Sequence, residues 1–312
     1  MSHFAFVFPG QGSQSVAMLD AWGDNAAVRD TLIEASDALG LDVAALIREG
    51  PKEQLDLTTN TQPAMLAAGV ACYRAWRAEG GAEPVVVAGH SLGEYSALVV
   101  AEALTLADAL PLVRFRAQAM QQAVPVGVGA MAAILGLDAG AVVAACAEVA
   151  ESQAETVAAA NFNDPKQTVI AGTRAGVEAA CELLKARGAK RALILPVSAP
   201  FHSSLMRPAA ERLKDRLAAT PFKTPRIPLV GNVDVEVHTD PQAIRQALYL
   251  QAFGPVRWVD SVHRMIALGA SAIVECGPGK VLAGLLKRIA PETPNAALFD
   301  PASLRDAKAL LQ

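Results

Sequence analysis

Val85-Val86-Val87-Ala88-Gly89-His90-Ser91-Leu92-Gly93-Glu94-Tyr95 decides how this chain is read. The valine run is short, apolar and runs into a glycine, which marks a buried strand. Residues 92–101 then carry helical character. Between them, Gly89-His90-Ser91-Leu92-Gly93 fits G-x-S-x-G. In a strand–turn–helix context that pattern makes a nucleophile elbow. The flanking glycines allow a tight, strained turn, and the serine hydroxyl is exposed where the strand ends and the helix begins. The helix N-terminus adds free backbone N–H groups that can face an oxyanion. The plain alternative is an ordinary β–α turn with a capping serine, and the buried-strand context favours Ser91 as a nucleophile.

Toward the N-terminus, the apolar run at 4–8 ends in Pro9-Gly10 and predicts another buried strand, with 1–8 as its outer bounds. Helices are expected at 26–39 and 62–79. Toward the C-terminus, 105–122 predicts a helix with Thr105 as its N-cap. Leu106, Ala109, Leu110, Val113, Ala117 and Met120 form its apolar stripe. Arg116 sits at the edge of that stripe, where an arginine usually has a partner, whether protein or ligand.

From 126 to 197 the pattern changes to strand (130–135), helix (139–150), two strands (156–161 and 167–171), helix (175–187) and strand (191–197). The turn signal Asn163-Asp164-Pro165 joins the middle strands. This β-α-β-β-α-β order is that of a ferredoxin-like unit. The later segments predict a helix at 206–220, strands at 227–232 and 272–275, and helices around 241–252, 255–268 and 280–290. The expected fold is therefore α/β. A large α/β-hydrolase-like domain, residues 1–125 and 198–312, carries a central, mostly parallel sheet. A small ferredoxin-like domain, residues 126–197, is inserted into it.

At 312 residues and 52% hydrophobic, the chain can bury a sizeable core. The mean hydropathy of +0.29 is driven by alanine-rich stretches, which signal helix rather than membrane. No apolar run approaches the roughly 18–20 residues of a spanning helix, and the N-terminus lacks the basic region and cleavage site of a signal peptide. Cys72, Cys146, Cys181 and Cys276 are scattered with no C-x-x-C. That argues against a disulfide framework or a zinc site and fits a reducing cytoplasm. A net charge of −4 gives no basic footprint for nucleic acid.

A nucleophilic serine needs a base. The histidines are His3, His90, His202, His238 and His263. His90 adjoins Ser91, but neighbouring side chains on a sharp turn point apart. His202 follows a predicted strand, beside a stiffening proline, where the chain re-enters the large domain. It is favoured over the others, whose plain reading is surface or core packing. The Gly-rich run Phe8-Pro9-Gly10-Gln11-Gly12-Ser13-Gln14 is no phosphate cradle. It lacks Gly-Lys-Ser/Thr, and Ser15 stands where G-x-G-x-x-G needs its third glycine. It could be a plain turn, or bring a backbone N–H close to a reacting carbonyl.

Taken together, the motifs carry a family resemblance. Phe8-Pro-Gly-Gln-Gly-Ser-Gln14, Gly89-His-Ser-Leu-Gly-Glu-Tyr95, Asn161-Phe-Asn-Asp-Pro165, Pro200-Phe-His-Ser203, Pro255-Val-Arg-Trp258 and Glu275-Cys-Gly-Pro-Gly279 follow in order. The chain resembles the malonyl-CoA:acyl carrier protein transacylases of type II fatty acid synthesis, over nearly its whole length. The resemblance implies Ser91 as nucleophile and His202 as its general base and later acid. The backbone carbonyl of Gln251 would orient the imidazole, and the N–H groups of Gln11 and Leu92 would form the oxyanion hole. Arg116 would grip the malonyl carboxylate as a bidentate pair. Phe201 and Met131 would bound the acyl pocket, and Asn161 would contact the pantetheine or neighbouring loops.

The implied reaction is ping-pong and needs no metal or redox cofactor. Its partners would be malonyl-CoA and acyl carrier protein, with the enzyme a cytoplasmic monomer. Docking an acidic carrier on a net-negative chain would need a local basic patch. Candidates are Lys185, Arg187, Lys190 and Arg191, or Lys280, Lys287 and Arg288; the plain reading of both groups is solvated helix faces. Rival readings are a serine esterase or thioesterase, a discrete polyketide acyltransferase, and an inactive carrier-binding scaffold.

Overall fold

The computed structural model describes residues 3–125 and 127–312. The N-terminal half runs β1 (Phe4–Phe8), α1 (Ala26–Leu39), α2 (Val43–Glu49), α3 (Lys52–Leu55), α4 (Thr58–Ala78), β2 (Val86–Gly89), α5 (Gly93–Val100) and α6 (Leu106–Gln121). The middle runs β3 (Gly129–Leu135), α7 (Ala139–Gln153), β4 (Val157–Asp164), β5 (Gln167–Thr173), α8 (Arg174–Ala186) and β6 (Arg191–Ile194). The chain ends with α9 (Arg207–Ala219), β7 (Leu229–Val230), α10 (Pro241–Gln251), α11 (Trp258–Ala267), β8 (Ala272–Cys276), α12 (Val281–Ile289), β9 (Asn295–Leu298) and α13 (Pro301–Leu311).

β7-β2-β1-β8-β9 form one sheet in which every neighbouring pair is parallel. β1 lies at its centre and is buried along its whole length, as parallel strands covered on both faces are. Successive side chains of β1 feed opposite cores. Phe4, Phe6 and Phe8 pack with α4, α5 and α6, whereas Ala5 and Val7 pack with α11 and α12 through Trp258, Val262, Leu285 and Leu286. Phe8 pairs with Gly89 in register, so β1 and β2 end side by side, one before Pro9-Gly10 and the other before His90-Ser91.

The second sheet is antiparallel, in the order β4-β5-β3-β6. Ala130, Ala132 and Ile134 of β3 face α7 and α8. The opposite parity, Met131 and Ala133, packs with Val169, Leu195, Val197 and Phe201. Met131, Val169, Leu195, Val197 and Phe201 of that face line a cavity together with Ser91 and with Leu282 and Leu285 of α12. β4 is tied to the loop before α11 by Phe162 N–H to Val256 O at 2.9 Å and Val256 N–H to Ala160 O at 2.8 Å.

Several boundaries moved for identifiable reasons. The strand expected at 191–197 stops at Ile194, two residues before Pro196, which has no N–H for a ladder. The strand expected at 227–232 shrinks to Leu229–Val230, between Pro228 and Gly231. The turn expected at 163–165 begins later, because β4 continues through Asp164, so Asn163 is a strand residue. α2, α3, β9 and α13 were not expected. The expected strand positions Met1 and Ser2, and Val126 at the proposed domain border, lie outside the described residues. Among the described residues no helix is long and apolar enough to cross a membrane.

Candidate active site

Ser91 stands between β2 and α5 with a backbone φ of +52°, a left-handed conformation uncommon for a residue with a Cβ. Both flanking glycines are demanded by packing. A Cβ on Gly89 would lie 1.9 Å from the Gly93 carbonyl carbon, and one on Gly93 would lie 2.0 Å from Phe8 O. The elbow is thus pressed against the end of the neighbouring strand. The Gly-rich loop approaches the same turn, since a Cβ on Gly10 would lie 2.6 Å from His90 O.

Ser91 Oγ is 2.7 Å from His202 Nε2. His202 is also left-handed, with a φ of +59°, in a turn closed by Ser203 Oγ donating to Pro200 O at 2.6 Å. Its other ring nitrogen, Nδ1, is 3.0 Å from Gln251 O and 3.1 Å from Gly254 O. Two carbonyl acceptors require Nδ1 to carry the proton, which leaves the Nε2 lone pair to accept from the serine hydroxyl. Gln251 is the last residue of α10, so these carbonyls stand at the negative end of a helix, where an imidazolium is favoured. At rest the ring is neutral. Burial, then the charges of Arg116 and His90, push its pKa down to about 3 against the opposing pull of the two carbonyls.

Arg116 projects from α6, whose N-terminus is capped by Thr105 Oγ1 accepting from Asp108 N–H at 3.0 Å. The residue is only 2% exposed. One terminal nitrogen donates to Gln62 Oε1 at 2.8 Å. The other donates to Gln251 Oε1 at 3.0 Å and reaches Ser91 Oγ at 3.4 Å. The guanidinium lies 5.5 Å from the Tyr95 ring centroid, and its Nε has no hydrogen-bond partner among the described residues. No carboxylate pairs with it there, so its side-chain partners in the protein are neutral amides and a hydroxyl. Burial accordingly lowers its pKa from the usual value.

The serine, histidine and arginine open on a cavity of about 250 Å³ between the two sheets. Gln11, Leu92, Met131, Phe201 and Asn161 all line it, as do Gln62, Val169, Leu195 and Leu285. Among the described residues neither the Gln11 nor the Leu92 main-chain N–H donates a hydrogen bond. Two unspent donors beside a nucleophile are what an oxyanion hole needs. His90 has other partners than Ser91, with Nε2 2.8 Å from Asn163 Oδ1 and its ring 5.4 Å from Trp258. His3 and His263 are exposed, and His238 pairs with Asp234 at 2.7 Å.

Four contributions to the site were not anticipated: the side chains of Gln62, Asn232 and Glu94, and the amide of Gln251, which was singled out only for its carbonyl. Gln251 Nε2 donates to Ser91 O at 2.8 Å and to Glu94 Oε2 at 3.1 Å, so one amide links Ser91, Arg116 and a buried acid. Burial pushes Glu94 up to about 7. Gln62 directly follows the polar stretch Thr58-Thr59-Asn60-Thr61 at the start of α4, so nothing local marked it or Asn232.

Residues 5–299 match the acyl transferase domain family. The chain is 52% identical over 308 residues to the malonyl CoA-acyl carrier protein transacylase of Escherichia coli K12, covering 98% of this chain and 99% of that one. An acyl-carrier-protein S-malonyltransferase structure from Burkholderia pseudomallei is 62% identical with a TM-score of 0.96, covering 98% and 99% of the two chains. A malonyl-transacylase solved in complex with its type II PKS acyl-carrier protein is 49% identical with a TM-score of 0.96, again covering 98% and 99%.

Proposed function

The chain belongs to the acyl transferase domain family, alongside the malonyl CoA-acyl carrier protein transacylases, and from that premise we propose that it moves malonyl from coenzyme A to the phosphopantetheine thiol of an acyl carrier protein through an ester on Ser91. The observation that carries the reading is Arg116: a buried cation with neutral partners, 3.4 Å from Ser91 Oγ. A carboxylate on the acyl group supplies the missing counter-charge.

In the first half-reaction, His202 Nε2 takes the Ser91 proton while Oγ attacks the thioester carbonyl. The oxyanion lies against the Gln11 and Leu92 N–H groups. Collapse breaks the C–S bond, and the coenzyme A sulfur takes the proton from His202. In the second half, the pantetheine thiol gives its proton to His202, its sulfur attacks the ester carbonyl, and Oγ leaves and recovers the proton. The dyad follows triad logic with two carbonyls in place of an aspartate. The thioester is already activated, so positioning and the oxyanion hole suffice without a metal or redox group. Phe201 and Met131 wall the acyl group, and Asn161, which lines the same cavity, contacts the pantetheine or neighbouring loops. Excluding water there limits loss to hydrolysis.

Malonyl delivered to a carrier supplies chain elongation in fatty acid synthesis. A polyketide carrier is the second reading, favoured by the likeness to the PKS-associated transacylase. The remaining assignments belong to the same proposal: an α/β-hydrolase-like domain (1–125, 198–312) with a ferredoxin-like insert (126–197), acting as a monomer in the cytoplasm. The strand order β4-β5-β3-β6 supports the insert. For carrier docking, Lys185, Arg187 and Arg288 are already paired with Glu182, Glu148 and Asp164, and Lys280 stacks on Phe299. Lys190, Arg191 and Lys287 are left as the stronger candidates.

Intact-mass measurement after mixing with malonyl-, acetyl- and methylmalonyl-CoA tests the proposal. The expected result is a malonyl adduct that holo-carrier protein discharges and that Ser91→Ala abolishes. A labelled Ser91→Ala variant, or rapid malonyl-CoA loss with no acceptor, would overturn it.

A further inference from the structure

The strain at Ser91 has to be held from outside the turn, because a left-handed backbone at a residue with a Cβ persists only where its surroundings over-determine it. One side chain spans the elbow. Asn232 Oδ1 accepts the Ser91 N–H at 2.7 Å, and Asn232 Nδ2 donates to Gly89 O at 2.6 Å. A single amide therefore joins the peptide group entering the turn to that of the nucleophile itself. On the other side, Gln251 Nε2 holds the Ser91 carbonyl.

Asn232 is built for a fixed position. It is 0% exposed. Its N–H donates to Glu94 Oε2 at 3.3 Å, and its carbonyl accepts the Arg257 N–H at 3.0 Å. The loop that carries it leaves β7 and folds back through Gly231 N–H to Glu236 O at 3.0 Å, with Val230 bridging Val237. It takes no part in lining the cavity, so it does not meet the acyl group.

We infer that Asn232 is a positioning residue for the Ser91 nucleophile, its amide clamping the elbow so that Oγ stays on His202 Nε2 while the Leu92 N–H stays free for the oxyanion. Without the clamp, the Ser91 peptide can rotate toward the ordinary right-handed region, swinging Oγ off the imidazole and the next N–H off the cavity. The inference rests on reading Ser91 as the acyl carrier. It assigns the asparagine to the rate of acylation and leaves binding of coenzyme A to other residues.

The experiment compares wild type, Asn232→Ala and Asn232→Asp by single-turnover intact-mass kinetics with malonyl-CoA, alongside thermal melts. A displacement of about 1 Å at reacting groups costs roughly 100-fold, so Asn232→Ala should acylate about 100-fold more slowly. Its KM should stay within about twofold of wild type, and its burst should still approach one malonyl per chain. Asn232→Asp keeps the acceptor for Ser91 N–H and loses the donor to Gly89, so its rate should fall between the two. A variant with a reduced burst but a native rate would be partly unfolded rather than mispositioned, and would overturn the inference. So would unchanged kinetics, or failure of both variants to fold, which would make the amide a support of the fold alone. Failure of wild type itself to load malonyl would instead refute the reading of Ser91.

Discussion

Replacing Arg116 with alanine tests the charge logic of the site. The guanidinium has five N–H donors, and its protein partners are the amide oxygens of Gln62 and Gln251 with a long contact to Ser91 Oγ. The nitrogen bonded to Gln62 thus keeps one donor, and the other has its second donor only on the long Ser91 Oγ contact, which acylation of that oxygen releases, so both can meet a bidentate carboxylate. A hydrogen bond involving a charged group contributes about 1.5–3 kcal/mol. Two of them at the lower bound give about 3 kcal/mol, or roughly 100-fold at 1.36 kcal/mol per decade. Acetyl has no carboxylate to lose. The loss of the Gln62 and Gln251 contacts falls on both substrates alike and cancels in the ratio. Arg116→Ala should therefore lower the malonyl-to-acetyl loading ratio at least about 100-fold, measured as adduct formation on Ser91 in competition. Arg116→Lys keeps a point charge without the fork and should fall between. Equal losses for the two acyl groups would refute the carboxylate role.

The pH dependence separates two buried groups. Because His202 is pushed down to about 3 from an ordinary 6.5, it stays unprotonated through mild acid, and the single-turnover acylation rate should stay flat from about pH 8 to about pH 5.5. An acid limb centred near pH 6.5 would contradict this. Glu94 moves the other way, raised from 4.5 to about 7 by burial. Its folded form holds a proton that the unfolded chain releases, so its contribution is fully present below about pH 4.5 and is lost as pH rises through about 7. Glu94→Gln should thus gain stability relative to wild type between about pH 5 and pH 8, on the order of 2–3 kcal/mol, as read by denaturant melts. A difference that is flat with pH would remove Glu94 as a titrating group.

Much of the fold could be read in the sequence because its signals are local. The apolar runs at β1, β2 and β8, the alanine-rich helices and the β-α-β-β-α-β order each depend on residues within a few positions of one another. β9 and α13 were missed, although Asp300 caps α13 with a capping box through Ser303. α2 was missed because it is only seven residues long, too short for a periodic stripe. β7 was overdrawn because hydrophobicity alone does not register where a flanking proline and glycine end the ladder.

The sequence by itself marked Ser91 as the candidate nucleophile and drew the elbow around it. Ser91 needs only its two glycines, a strand before and a helix after, all within a few residues. Tertiary structure alone decided what makes that serine chemically competent. His202 reaches it across 111 positions, Asn232 across 141 and the Gln251 amide across 160. The sequence left Arg116 with a partner that was either protein or ligand, and only the packed interior, by placing Gln62 and Gln251 against it, showed that its protein partners are neutral. Burial, charge compensation and the direction of a backbone carbonyl are properties of the closed fold, because each depends on which distant segments displace water from the same few ångströms.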